Sequence, residues 1–319
     1  MIPIDDIRAA AGRIRPHVHR TPIFSSRSIG EAAGAAVHLK CESFQKTGSV
    51  KPRGALNKVL SLEGEDRGRG LVTVSAGNHA QAVAWAARRT GVPCAVVMPA
   101  KAPAPKVEAV RGYGARIVFH DDNATLFDRL RQLQEETGYV FVHPFDDPVV
   151  LAGAATAGLE IVEDLPDVSV VVVPVGGGGL MAGVASAVKQ LRPRVRVFAV
   201  ELAEGPGLAP ALAAGKPVPV SRPAKTLADG LIPPFVGAIP LAVAREALDG
   251  LVTVSEDAIA RAMRMLLTRA KLYVEGGGAA ATGALLSGAI PLAGDDVVAV
   301  LVSGGNVDPE RFPFTAPAA

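Results

Sequence analysis

The sequence predicts an α/β fold in which a parallel β-sheet is covered on both faces by helices. Three observations predict it. Short β-branched runs alternate with segments of helical periodicity, the pattern that parallel crossover connections require. Turns rich in small residues follow two of those runs and open helical segments, at 75–78 and 176–179, the place where open α/β sheets collect ligands. The chain is 49% hydrophobic and only 4% aromatic, with 34 Gly and 25 Pro, which suits a compact scaffold of tight turns rather than a disordered chain.

The predicted strands are Leu71 to Val74, Cys94 to Met98, Arg116 to Phe119, Val140 to Val142, Val168 to Val175, Val195 to Val200 and Val297 to Leu301. Helical periodicity covers Pro52 to Leu62, Ala80 to Arg88, Leu126 to Glu136, Leu180 to Gln190 and Ala258 to Ala270. Ser255 stands where an N-cap belongs, with Glu256 and Asp257 in the first turn. A length of 319 residues exceeds the usual single domain, and two stretches read as joints: polar, glycine-rich Glu63 to Gly70, and Pro144 to Pro148. Roughly four strand-helix units lie between them, so we divide the chain into a large domain, 1–66 with 146–319, and a small domain, 67–145, inserted in it.

Charge and cysteines narrow the function. Lys and Arg outnumber Asp and Glu by 33 to 31 without a long basic run, which argues against a nucleic-acid partner. Cys41 and Cys94 are far apart without metal-ligand spacing and read as reduced thiols of a cytoplasmic protein. The acidic start and the lack of a membrane-length apolar run direct neither export nor insertion.

The chemistry gathers in four segments. Gly176 to Gly179 lies between a buried strand and a helix, where bare backbone can wrap an anion and present N–H groups at the positive helix end. A tight turn without a ligand is the competing reading, but each glycine costs roughly 1 kcal/mol against alanine. No Walker lysine or interrupted dinucleotide pattern accompanies the run, so a small phosphorylated cofactor is favoured over a nucleotide. In Thr47-Gly-Ser-Val-Lys-Pro-Arg-Gly-Ala55, Lys51 precedes Pro52 at a helix start. There the dipole and burial favour the neutral amine that attacks an aldehyde. Ser75-Ala-Gly-Asn-His-Ala-Gln81 offers a hydroxyl, an amide and backbone N–H groups to a ligand, and Ser303 ends the last buried strand in Leu301-Val-Ser-Gly-Gly-Asn306.

With these segments in view, the chain resembles the fold-type II pyridoxal-phosphate family, in particular the serine/threonine dehydratases (threonine ammonia-lyases) and serine racemases. The likeness runs nearly end to end and includes His38 to Glu42, Gln45, His143 to Asp147, Thr226 to Gly230 and Glu275 before Gly276. It implies a fold like the tryptophan synthase β-subunit, with two open, mostly parallel twisted sheets covered by helices, and a homodimer. It implies that Lys51 binds the aldehyde of pyridoxal 5'-phosphate as a Schiff base. Gly176, Gly177, Gly178, Gly179 and Leu180 would hold the phosphate, Asn78 the ring hydroxyl, and Ser303 would face the pyridine nitrogen. A hydroxyl there leaves the ring a weaker electron sink than a carboxylate would, which favours prompt β-elimination. Ser75, Ala76, Asn78 and His79 would surround the carboxylate end of a small amino-acid substrate.

The implied activity is the β-elimination of a β-hydroxy amino acid such as L-threonine or L-serine, giving a 2-oxo acid and ammonia. Where racemases place a second serine this chain has Ala76, which disfavours racemisation. A serine or aspartate-type racemase, a β-replacement enzyme and a non-catalytic protein that binds the cofactor are the alternatives. Val50 and Ala154 depart from the family pattern, which has phenylalanine and glutamine there. Relatives sometimes hold a divalent metal such as Mg or Ca near Glu201, where Glu204 is a second oxygen candidate; plain surface carboxylates are the competing reading. No regulatory extension follows Ala319, so feedback by isoleucine is not expected.

Overall fold

The strongest signals in the chain, its β-branched runs, build two separate sheets. The computed structural model describes residues 1–102, 104–122, 125–221, 223 and 225–314. The strands are β1 (Ile23–Ser25), β2 (Ala36–Cys41), β3 (Leu71–Val74), β4 (Cys94–Pro99), β5 (Arg116–His120), β6 (Val140–Phe141), β7 (Val170–Pro174), β8 (Arg196–Leu202), β9 (Gly250–Val254) and β10 (Val297–Val302). The helices are α1 (Ile4–Ile14), α2 (Arg27–Ala33), α3 (Lys51–Leu60), α4 (Asn78–Thr90), α5 (Ala104–Gly112), α6 (Leu126–Thr137), α7 (Pro148–Asp164), α8 (Gly179–Leu191), α9 (Leu208–Ala214), α10 (Ala238–Ala247), α11 (Glu256–Met265) and α12 (Gly276–Leu286).

One sheet has the order β1-β2-β10-β7-β8-β9 and the other β5-β4-β3-β6. Every pairing is parallel except β1 with β2. The fold is thus α/β with two mostly parallel sheets, as expected. β7 and the inner part of β10 are buried throughout, which is why they read as unbroken Val runs.

The sequence reading missed β1, β2, β9 and seven of the helices, among them α7 and α12. The physical reason is clearest for α12, whose residues Gly276 to Leu285 are all buried. A helix apolar all round has no amphipathic stripe to read. The helix expected over Ala258 to Ala270 begins at Glu256 with Ser255 Oγ accepting from Ala258 N, but ends at Met265, where a wider π-type turn runs on to Ala270.

Small residues let α3, α7 and α8 touch backbone to backbone. A Cβ on Gly153 of α7 would stand 2.4 Å from Arg53 O, and one on Gly183 of α8 would stand 2.7 Å from Ala155 N. Below α3 lies a buried cluster of opposite charges. Arg53 Nε and Nη2 donate to Glu42 at 2.8 Å each, and Nη1 and Nη2 donate to Glu160 at 2.7 and 2.8 Å. Lys40 Nζ donates to Glu160 Oε2 at 2.6 Å and to Thr21 O at 2.8 Å. Two cations set against two anions tie β2, α3 and α7 into one unit.

Glu201 corrects an expectation. It is not a surface carboxylate but 2% exposed, and it accepts from Gly207 N at 2.8 Å, Leu208 N at 2.7 Å and Ala209 N at 3.2 Å. Its oxygens cap α9, while Glu204 is exposed. Among the described residues, no group of three His, Cys, Asp or Glu is arranged to hold a metal ion, and no helix is long and apolar enough to cross a membrane.

Candidate active site

The four segments singled out in the sequence meet at the carboxyl ends of β3, β7 and β10. Val50 N donates to Ser303 O at 3.0 Å, and Gly305 N to Gly48 O at 2.9 Å, so the stretch before Lys51 is bonded directly to the end of β10. Lys51 is the first residue of α3, with Pro52 in the first turn. Its Nζ donates to Pro144 O at 3.1 Å. Burial pushes this amine down to about 8 from its ordinary 10.5, with the Glu275 carboxylate opposing the shift.

Across from the amine, the glycine turn leads into α8, with Gly178 at φ +90° as its N-cap. None of the N–H groups from Gly176 to Leu180 has a backbone acceptor among the described residues, whereas Ala182 N already donates to Gly178 O. Five open donors at a helix start make an anion cradle. The turn tolerates no side chain: a Cβ on Gly177 would lie 2.2 Å from the ring of Phe145, and one on Gly178 2.5 Å from Pro240. Replacing Gly177 by alanine is therefore expected to cost about 1–3 kcal/mol of stability and to abolish tight phosphate binding, measured by denaturant unfolding and by cofactor retention through dialysis.

The Ser75 turn opens α4. Ser75 Oγ accepts from Gly77 N at 3.1 Å, and among the described residues the N–H groups of Asn78, His79 and Ala80 have no backbone acceptor. The His79 ring is buried and Nε2 bonds Val142 O at 3.0 Å, while burial, aided by the Lys51 charge, pushes it down to about 3. The imidazole is neutral, and its Nδ1 is buried without a hydrogen-bond partner among the described residues. Among the described residues Ser303 Oγ has only a long 3.4 Å bond to Gly277 O, so its hydroxyl is free to turn.

Between the two sheets runs a cleft of about 240 Å³, lined in part by Gln81, Lys106, Asp229, Glu275 and Asn306. Lys106 Nζ bonds Asp229 Oδ2 across it at 2.6 Å. Burial lifts the Glu275 carboxyl to about 7, the Asp229 charge adding to the shift, with Asn78, Lys106 and Lys51 opposing it. A smaller void of about 20 Å³ beside Lys51 is lined by both departures from the family pattern, Val50 and Ala154.

The profile of the pyridoxal-phosphate dependent enzymes matches residues 14–304. The chain belongs to that family. Within it, the chain is 44% identical over 313 residues to the L-threonine ammonia-lyase of Thermotoga maritima, covering 97% of this chain and 76% of that protein. The structure of a threonine deaminase from T.th. superposes with a TM-score of 0.90 at 44% identity, covering 96% and 98% of the two chains. Maize serine racemase superposes with a TM-score of 0.92 at 40% identity, covering 96% and 94%.

The residues present fit the family's cofactor. A buried amine with a depressed pKa suits its aldehyde, and the N–H groups of the glycine turn, without backbone acceptors among the described residues, suit its phosphate. Pro144, Phe145, Glu275 and Asn306 are parts of the site to which the sequence reading assigned no role. Phe145 seats the glycine turn and Pro144 holds the lysine. Both stand in the stretch after β6, which read as a joint and as part of the family likeness with no role for either residue, and no spacing rule links it to Lys51.

Proposed function

We propose that this protein catalyses the β-elimination of a small β-hydroxy amino acid, L-threonine or L-serine first, giving a 2-oxo acid and ammonia. The carrying observation is the Lys51 amine, lowered by burial and facing a turn of open N–H groups. Pyridoxal phosphate, when bound, supplies the electron sink that makes the α-hydrogen of an amino acid removable. Lys51 would hold the aldehyde, and its Nζ as a free amine is the base that takes the α-proton of the substrate. Gly176 to Leu180 hold the phosphate, Asn78 the ring hydroxyl, and Ser303 the pyridine nitrogen. Ser75 and the backbone of Asn78 and His79 hold the substrate carboxylate. The β-hydroxyl leaves with a proton as water, and a second water releases ammonia. A panel of L-threonine, L-serine and β-hydroxyaspartate, assayed for 2-oxo acid on cofactor-loaded protein, tests the reading; no product from any of them would overturn it.

Similarity to serine racemases supports a second reading. Racemisation needs a proton donor on the face opposite Lys51, and Ala76 has no hydroxyl. Ala76→Ser is expected to raise the ratio of D-serine formed to pyruvate formed by about tenfold or more, since a placed acid or base contributes about 10²–10⁴-fold; chiral chromatography reads it. We also take residues 1–66 with 146–319 and 67–145 as the two domains, the two sheets supporting that division, and the protein as a cytoplasmic homodimer. We assign no metal requirement.

A further inference from the structure

Asn78 is gripped at both ends of its amide. Its Nδ2 donates to Glu275 Oε1 at 2.6 Å, and its Oδ1 accepts from Asn306 Nδ2 at 2.8 Å. Asn306 Nδ2 also donates to Thr47 O at 2.7 Å. A carbonyl can only accept, so Thr47 O fixes which end of Asn306 faces it. Asn306 must then donate to an oxygen of Asn78, which turns the Asn78 NH₂ toward Glu275. The sense of the relay is set at its carbonyl end and agrees with a carboxyl oxygen at the other.

The backbone is shaped for this relay. Thr47 sits at φ +59° and Gly48 at φ +73°, a bend in a region that residues other than glycine rarely occupy. A Cβ on Gly48 would meet Asn306 Oδ1 at 2.5 Å, and one on Gly304 would meet Glu275 Oε1 at 2.3 Å and Asn78 Nδ2 at 3.2 Å. One hydrogen of Asn78 Nδ2 is used by Glu275, and one remains.

We propose that Glu275 and Asn306 are positioning residues that lock the Asn78 amide, so that its remaining Nδ2 hydrogen is presented to the cofactor's ring hydroxyl. This rests on the reading that Asn78 contacts that hydroxyl. Glu275 and Asn306 act on the ring oxygen through the Asn78 side chain, so the relay tunes the bound cofactor's electronic state.

The test is the near-ultraviolet and visible absorption of the bound cofactor at pH 8 without substrate, with kcat and KM measured beside it. Asn78→Ala, Glu275→Ala and Asn306→Ala are each expected to redistribute the cofactor's absorption bands. Each is also expected to lower kcat by about 10–100-fold, the scale for losing a partner that orients a direct contact, with KM changed less than kcat. Glu275→Gln keeps an accepting oxygen and is expected to restore the parent spectrum. In the Asn78→Ala background, Glu275→Ala should add nothing further. An unchanged spectrum in Asn78→Ala would overturn the reading of Asn78 itself. A changed spectrum there, with parent-like spectra in the other two, would overturn the relay. If Glu275→Ala fails to fold, Asn306→Ser carries the same comparison.

Discussion

Replacing Lys51 by alanine is expected to lower turnover by about four orders of magnitude, the upper end of what one proton-transfer group contributes, because the same amine also makes the covalent link. The glycine turn is separate from the lysine, so the variant should still take up pyridoxal phosphate. Borohydride treatment and peptide mapping should place the pyridoxyl group on residue 51 of the parent and nowhere in the variant; a label on another lysine would remove the basis of the proposed function. The depressed pKa adds a pH signature. With a midpoint near 8, about a tenth of the amine is neutral at pH 7 and half at pH 8. Capture of free cofactor by the apoprotein should therefore quicken roughly tenfold from pH 6 to 7 and level off above about pH 9, as stopped-flow absorbance would show. The linkage has the matching sign: between about 8 and 10.5 the unfolded lysine holds the proton that the folded one has lost, so the folded apoprotein gains stability as pH rises through that window.

The second large effect falls on stability. Arg53 is 0% exposed and bonds both Glu42 and Glu160. Burial works against its charge, but the two carboxylates more than offset this and raise its pKa. Glu160 is held below the usual carboxylate range in turn: burial opposes, and Arg53 and Lys40 outweigh it. Removing the guanidinium leaves two buried carboxylates facing one ammonium, so Arg53→Ala should cost about 3–5 kcal/mol. Denaturant unfolding should show it directly, and the melting temperature should fall by about 6–20 °C. Arg53→Lys keeps the charge but not the fork and should lose less. Equal losses for the two would show that the bidentate geometry, and not the charge, holds the cluster together.

Much of this molecule was legible beforehand. The strands at 71–74, 94–98, 116–119 and 297–301 and the helix after Ser255 begin within two residues of their predicted starts, because half-buried and buried elements leave period and composition in the chain. Lys51, the glycine turn and the Ser75 turn were legible because each sits where a strand or loop enters a helix, and helix starts need particular residues. α7 and α12 were not legible, since burial on every side erases the amphipathic stripe. Glu201 misled because an acidic residue at the end of a strand looks the same whether it meets solvent, a cation or a helix start.

The sequence by itself determined the alternation of strands and helices and where a lysine and a glycine run stand at helix starts, the residues we propose to bind an aldehyde and a phosphate, because those patterns depend on neighbours a few positions apart. Only the tertiary structure decided that Pro144 O meets the Lys51 amine, that Phe145 fills the space a Gly177 side chain would take, and that Glu275 and Asn306 hold Asn78 from both ends. Those partners lie about ninety residues from Lys51, about thirty from Gly177 and 197 and 228 from Asn78. Hydrogen bonds and steric contacts act over a few ångströms of space, and no local pattern along the chain records who will arrive there.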